Sequence, residues 1–210
     1  MIRIVIADDH AIVRRGLKQI VEEESDLQVT GEAANAAEVL RLLRPDDTDV
    51  LVLDINMPGR SGLEVLRDVK EQRPKLPVLV LSAHSEEQYA MRVLKAGAAG
   101  YLTKDSAPDE LVRALRKVHA GGKYVSPALA EQLASALQPD SERPPRERLT
   151  DREYQVLCLI GSGKTVSEIA DHLTLSVKTI STYRARLLEK MGLTTNAELT
   201  HYAIRNHLVE

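Results

Sequence analysis

The stretch 49-DVLVLDINMPG-59 decides how the rest of the chain is read. Four apolar residues, Val50 to Leu53, run straight into Asp54, and Met57, Pro58 and Gly59 then stop regular structure. An unbroken apolar run bounded by turn residues predicts a strand covered on both faces, as in a parallel sheet. Asp54 then lies at the carboxyl end of a central strand, the edge at which open α/β sheets place their chemistry.

The flanking sequence repeats the theme. Residues 2–7, IRIVIA, predict a first buried strand ending at Asp8 and Asp9, and Ile12, Val13, Leu17, Ile20 and Val21 follow at helical spacing to about Glu24. Residues 27–32 suit a second strand, and 36–44 a helix stopped by Pro45. Helices are predicted over 62–71 and 86–96 and strands over 78–82 and 99–103. Leu111, Val112, Leu115 and Val118 mark a last amphipathic helix ended by Gly121 and Gly122. Such alternation over residues 1–122 predicts an α/β domain, a flavodoxin-like doubly wound five-stranded parallel sheet.

Residues 123–147 read as a linker that includes a helix over 126–137, with Ser126 as cap and Pro127 in its first turn. Its end, QPDSERPPRE, is rich in proline and charge and has no large apolar residue. Residues 148–210 carry only helical patterns and predict a small all-α domain. Thr150 and Glu153 have capping-box spacing, helices follow over 166–173 and 177–191, the second capped by Ser176 and ended by Gly192, and 195–206 makes another. The tight connection between 173 and 177 suggests a helix-turn-helix.

A chain of 210 residues with 43% hydrophobic and 28% charged residues has ordinary soluble composition and room for two cores. The net charge of −3 excludes a uniformly basic nucleic-acid coat, but the charge is uneven. Residues 1–122 carry 17 Lys and Arg against 20 Asp and Glu, whereas 148–210 carry 8 against 7. Lys178, Arg184, Arg186 and Lys190 meet only Glu189 within one short segment. The single cysteine, Cys158, sits in the apolar run VLCLI and reads as a buried small hydrophobe. With no partner for a disulfide, no signal-peptide pattern and no run of membrane-spanning length, the expected location is the cytoplasm, away from any membrane.

In the flavodoxin-like order the first and third strands are neighbours, so Asp8, Asp9 and Asp54 converge. Three adjacent carboxylates repel one another, and a hard divalent cation such as Mg2+ relieves that and can bridge to a phosphoryl group. A carboxylate in line with a phosphoryl donor serves as nucleophile. Ser82 and Lys104, at the ends of the fourth and fifth strands, supply a hydroxyl and an ammonium for phosphoryl oxygens. Each alone has a plain explanation, as a helix cap, a surface lysine or first-turn acids; together at strand ends they favour a site. His10 reads as a first-turn residue of the first helix.

Asp8-Asp9, Asp54 followed by Met57-Pro58-Gly59, Ser82 and Lys104 resemble the receiver domain of two-component response regulators, over about the first 120 residues. The resemblance implies that Asp54 accepts phosphate from a cognate histidine kinase. It implies that Asp8, Asp9, Asp54 and the backbone carbonyl of Asn56 hold Mg2+ (or Mn2+), and that Lys104 contacts the phosphoryl group. Ser82 would move toward the phosphate, Tyr101 would change rotamer with it, and Asn56 and His84 would tune its lifetime. The chain would not be an enzyme beyond slow self-dephosphorylation.

LTDRE at 149–153, EIADHL at 168–173 and SVKTISTYRARLLEKMGL at 176–193 resemble the LuxR-type DNA-binding domain, so the whole chain is similar to the NarL/FixJ class. This implies that Lys178, Thr179, Ser181, Thr182, Tyr183 and Arg186 face double-stranded promoter DNA. It also implies that helix 195–206 pairs two copies in a phosphorylated homodimer, and that RNA polymerase is a partner. One departure is Val166-Ser167, where many relatives have Asn-Lys; Lys164 is the substitute for the missing phosphate contact. Two rivals remain. A haloacid-dehalogenase-like phosphatase would want an acid two residues after Asp54, where Asn56 stands. A regulator acting only through protein contacts would use the helix-turn-helix for dimerisation.

Overall fold

Strand order is what places the acids. The computed structural model describes residues 1–44, 47–57, 60–83, 86–126, 129–130, 149–206 and 208–209, and the chain forms two compact units, Met1–Ser135 and Ala136–Glu210. In the first, β1 (Ile2–Ala7), α1 (Ala11–Glu22), β2 (Leu27–Ala33), α2 (Ala36–Leu42) and β3 (Val50–Asp54) lead into α3 (Gly62–Gln72). Then come β4 (Val78–Ser82), α4 (Glu86–Lys95), β5 (Gly100–Thr103) and α5 (Ala107–His119). The sheet runs β2-β1-β3-β4-β5 with every pair parallel, the doubly wound order predicted.

Every residue of β3 and β4 is buried, which is why both read as unbroken apolar runs. On one face Ile4, Ile6, Val50, Val52, Leu79 and Leu81 pack with Leu17 and Val21 of α1 and Leu111, Leu115 and Val118 of α5. By the two-residue period Leu51 and Leu53 point to the opposite face. There α3 packs on β3 and buries Leu63, Val65, Leu66 and Val69. Two ion-paired clamps tie the periphery. Arg3 Nε and Nη2 each lie 3.0 Å from Asp49 oxygens, and Arg116 of α5 grips Asp26 at 2.6 and 2.9 Å and Glu24 at 2.7 Å.

Boundaries shift by a residue or two. The second helix ends at Leu42 rather than 44, because Arg44 precedes Pro45 and that position is driven out of the helical region. The first helix stops at Glu22, β2 extends to Ala33, α4 stops at Lys95 and β5 begins at Gly100. Of the helix expected over 126–137, the cap is present: Ser126 Oγ accepts the Leu129 N–H at 3.1 Å and its carbonyl the Ala130 N–H at 3.0 Å. The remainder of that helix, the proline-rich end of the linker and His84 lie outside the described residues.

The second unit contains α6 (Asp151–Gly161), α7 (Val166–Leu173), α8 (Val177–Met191) and α9 (Asn196–Arg205). The capping box at Thr150 and Glu153 is formed, and Thr165–Glu168 and Thr195–Glu198 make two more. Gly192 ends α8 with φ 64° and Thr174 ends α7 with φ 54°, the latter without the glycine that usually announces such a turn. Val156 and Leu157 of α6, Ile180 and Leu187 of α8 and Leu199 and Ala203 of α9 are all buried, α6 packs against both α8 and α9, and Cys158 is buried as expected.

Candidate functional site

Four strand ends converge. Asp8 follows β1, with its N–H on the Ala33 carbonyl at 3.0 Å; Asp54 closes β3; Ser82 closes β4; and Lys104 follows β5, with its N–H on the Ser82 carbonyl at 2.8 Å. The Lys104 ammonium lies 2.8 Å from Asp54 Oδ2 and 2.7 Å from Asp8 Oδ2, and Asp54 Oδ1 accepts the Asn56 N–H at 3.1 Å. Asp8, Asp54, Ser82 and Tyr101 are fully buried, while Asp9 and Asn56 are partly open. Burial raises the Asp54 carboxyl pKa above its ordinary value with help from Asp8, against the pull of Lys104 and the Asn56 N–H. Burial also disfavours the Lys104 ammonium, but Asp54 and Asp8 outweigh it and hold its pKa above the usual lysine range.

Ligand atoms of Asp8, Asp9, His10 and Asp54 all lie within 4.8 Å of one another. Asp9 Oδ1 is buried and accepts no hydrogen bond; its neighbour is His10 Nδ1 at 2.8 Å. An oxygen-rich cluster with such an atom suits a hard divalent cation. His10 corrects the sequence reading. It is the N-cap of α1 rather than a first-turn residue, makes no side-chain cap, and turns its ring to the two acids, with Nδ1 3.3 Å from Asp8 Oδ1. The sequence reading also missed two supports. Arg14 Nη1 donates to the Asp8 carbonyl at 2.6 Å. Gly62 lets α3 start against β3: a Cβ there would fall 2.2 Å from the Asp54 carbonyl oxygen. The helical spacing of Arg14 and the lone glycine after Ser61 were the only signals, and neither says what lies opposite.

In the second unit α8 presents Lys178, Ser181, Thr182, Ala185, Arg186 and Glu189 to solvent, while Thr179 and Tyr183 are half-buried and Ile180 and Leu187 are buried. Ser181 and Thr182 hydroxyls donate to the carbonyls of Val177 and Lys178 at 2.8 and 3.0 Å, and Thr179 Oγ1 lies 2.8 Å from the cap hydroxyl of Ser176. Two of the four cations counted as a patch have internal partners. Arg184 Nε donates to Asn196 Oδ1 of α9. Lys190 Nζ donates to the buried Glu153 Oε2 at 2.7 Å. Lys190 is exposed but ion-paired, so the basic residues of α8 left turned to solvent without such a pairing are Lys178 and Arg186, with Lys164 exposed just before α7.

The model of the response regulator receiver domain matches residues 4–116, and that of the bacterial regulatory proteins of the luxR family matches residues 147–203. The chain is a response regulator. It is 37% identical to the response regulator UvrY of Escherichia coli K12 across 99% of this chain and 96% of that one. It is 38% identical to the response regulator GacA of Pseudomonas aeruginosa across 100% and 99%. Among solved structures it resembles RcsB of Salmonella enterica serovar Typhimurium bound to promoter rprA with the phosphomimetic BeF3−, at 28% identity and TM-score 0.67 over 96% and 97% of the two chains. Receiver plus LuxR-type domain place this response regulator in the NarL/FixJ class, as a phosphorylation-controlled transcription regulator. Receiver domains in general bind Mg2+ at an acidic pocket, and this chain brings Asp8, Asp9, His10 and Asp54 into one cluster. Among the described residues no helix is long and apolar enough to cross a membrane.

Proposed function

We propose that Asp54 is the phosphoacceptor. An Asp54 oxygen attacks the phosphorus of a phosphohistidine on a partner kinase, the P–N bond breaks, and the histidine nitrogen leaves with the bond's electron pair. Asp8, Asp9, Asp54 and the Asn56 carbonyl would hold Mg2+ or Mn2+, which when bound neutralises charge on the phosphoryl oxygens. Lys104 stands where a transferred oxygen would appear, with Ser82 as a second donor and Tyr101 on the strand beside them. The observation that carries this reading is the Lys104 ammonium held between two fully buried carboxylates at 2.7 and 2.8 Å. Asn56, two residues on, supplies no acid for ester turnover, which favours a transient acceptor over a phosphatase.

In the same reading residues 1–122 are the receiver, 123–147 the linker and 148–210 the DNA-binding domain. Lys178, Thr179, Ser181, Thr182, Tyr183 and Arg186 are turned to promoter DNA in the cytoplasm. Phosphorylation favours a homodimer paired through α9, and the bound dimer meets RNA polymerase. The binding of RcsB to promoter DNA supports this. Asp54→Asn tests the core of it. Labelling by acetyl phosphate with Mg2+ should vanish in the variant, and full labelling would move the acceptor elsewhere. Multiple turnover of a phosphate ester would favour the phosphatase instead, and a gel shift with no retarded promoter fragment would favour a regulator acting through protein contacts alone.

A further inference from the structure

The chain that follows α5 forms a bonded strap. After α5 the backbone turns at Gly121, whose φ of 86° suits glycine, and Lys123 Nζ donates to the Ala98 carbonyl at 2.6 Å. Tyr124 then lies along the outer edge of β5 as a parallel bridge opposite Gly100. Its N–H donates to the Ala99 carbonyl at 2.9 Å, and its carbonyl accepts the Tyr101 N–H at 3.1 Å. The Tyr124 hydroxyl accepts from Arg113 Nε and Nη2 at 3.0 and 2.7 Å, so the side chain is held from α5 as well. Gly100 permits the approach: a Cβ there would lie 2.7 Å from the Tyr124 carbonyl oxygen and 2.9 Å from its Cβ.

The same short strand carries Lys104 just past its other end, with the ammonium on Asp54 at 2.8 Å. Asp54, Lys104, β5 and Tyr124 thus form one contiguous series of bonded groups. A phosphoryl group on Asp54 brings new anionic oxygens to the place where Lys104 now meets Oδ2. Lys104 must then re-pair, and the end of β5 is attached to it. We propose that Tyr124 is a latch whose two backbone hydrogen bonds carry the state of Asp54 from β5 to the chain leaving the receiver. The latch rests on the reading of Asp54 as phosphoacceptor. Tyr124 is a positioning residue, touching neither the phosphate nor DNA, and contiguity becomes coupling only through a measured difference.

The test uses the full chain as wild type, Tyr124→Ala, Tyr124→Pro and Gly100→Ala. Both Tyr124 variants lose the ring, but only proline loses the N–H that bonds Ala99. Each is scored for labelling by acetyl phosphate with Mg2+, and for affinity toward a promoter fragment with and without the donor. Labelling should stay within about twofold of wild type in all three, which also shows the receiver is folded. The donor-dependent affinity ratio should be about 5- to 150-fold in wild type, the usual range of allosteric coupling. It should remain in Tyr124→Ala and fall below about twofold in Tyr124→Pro and Gly100→Ala. Amide exchange at Tyr101 should respond to the donor in wild type but not in Tyr124→Pro. A wild-type ratio in Tyr124→Pro, or equal loss in the Ala and Pro variants, overturns the latch. Failure of the Asp54 reading shows instead as full labelling of Asp54→Asn, and the latch then falls with it.

Discussion

At the scale of single residues, Gly62 at the start of α3 and Gly16 within α1 behave oppositely. Gly62→Ala drives a Cβ to 2.2 Å from the Asp54 carbonyl oxygen and 2.6 Å from Ile55 Cα, backbone atoms that cannot swing aside. Denaturant unfolding should show a loss of about 2–4 kcal/mol. Gly16, inside α1, has nothing within 4 Å of its added Cβ, so Gly16→Ala should gain about 0.5–1 kcal/mol from backbone entropy alone. Sequence shows both as isolated glycines; only the neighbouring strand tells them apart. Asp49 offers a pH test. Its hydrogen bonds from Arg3 outweigh burial and hold its pKa at about 2, below the ordinary 3.8. A depressed folded-state pKa contributes stability above pH 3.8 that is lost as pH falls from there toward 2. The Arg3 side chain is 40% exposed, so solvent screening leaves about 1 kcal/mol. Asp49→Asn should remove that part of the acid-induced destabilisation, and an unchanged pH profile would assign it to other carboxylates.

At the scale of elements, α8 shows where sequence reasoning reaches and where it stops. The helical period correctly divides Ile180 and Leu187 from Lys178, Thr182, Ala185 and Glu189. It does not show that Arg184 meets Asn196 at the start of α9 or that Lys190 meets Glu153, because those partners sit on other helices. Lys178→Ala and Arg186→Ala should each weaken promoter binding and flatten its dependence on log salt by about one unit. Arg184→Ala and Lys190→Ala should leave that slope unchanged and lower the melting temperature instead. A slope that changes with Lys190 would place that ammonium on DNA. The cap at Thr150 was legible because a capping box is a local signal: Thr150→Ala should cost about 1 kcal/mol of stability. The left-handed end of α7 was not, since Thr174 stands where glycine would have given the signal.

At the scale of the whole molecule, the sheet order and the meeting of Asp8, Asp54 and Lys104 were legible despite long separations in sequence. Each residue stands at or just past the end of a strand, and a doubly wound sheet gathers all such ends at one edge. Charge works locally in the same way. The net −3 hides exposed cations on the second unit, Lys178, Arg186 and Lys164, which the proposed reading turns to DNA. A dimer using all of them should bind promoter DNA with a log–log salt slope of about −5, and a slope near −10 would require a further basic surface. The Tyr124 strap has another consequence, for solubility rather than signalling. An edge strand with free N–H and C=O groups is a template on which another chain can pair. β5 is such an edge, and the strap consumes the Tyr101 N–H and the Ala99 carbonyl there. The segment that carries the chain away from the receiver thus also guards its sheet against intermolecular pairing.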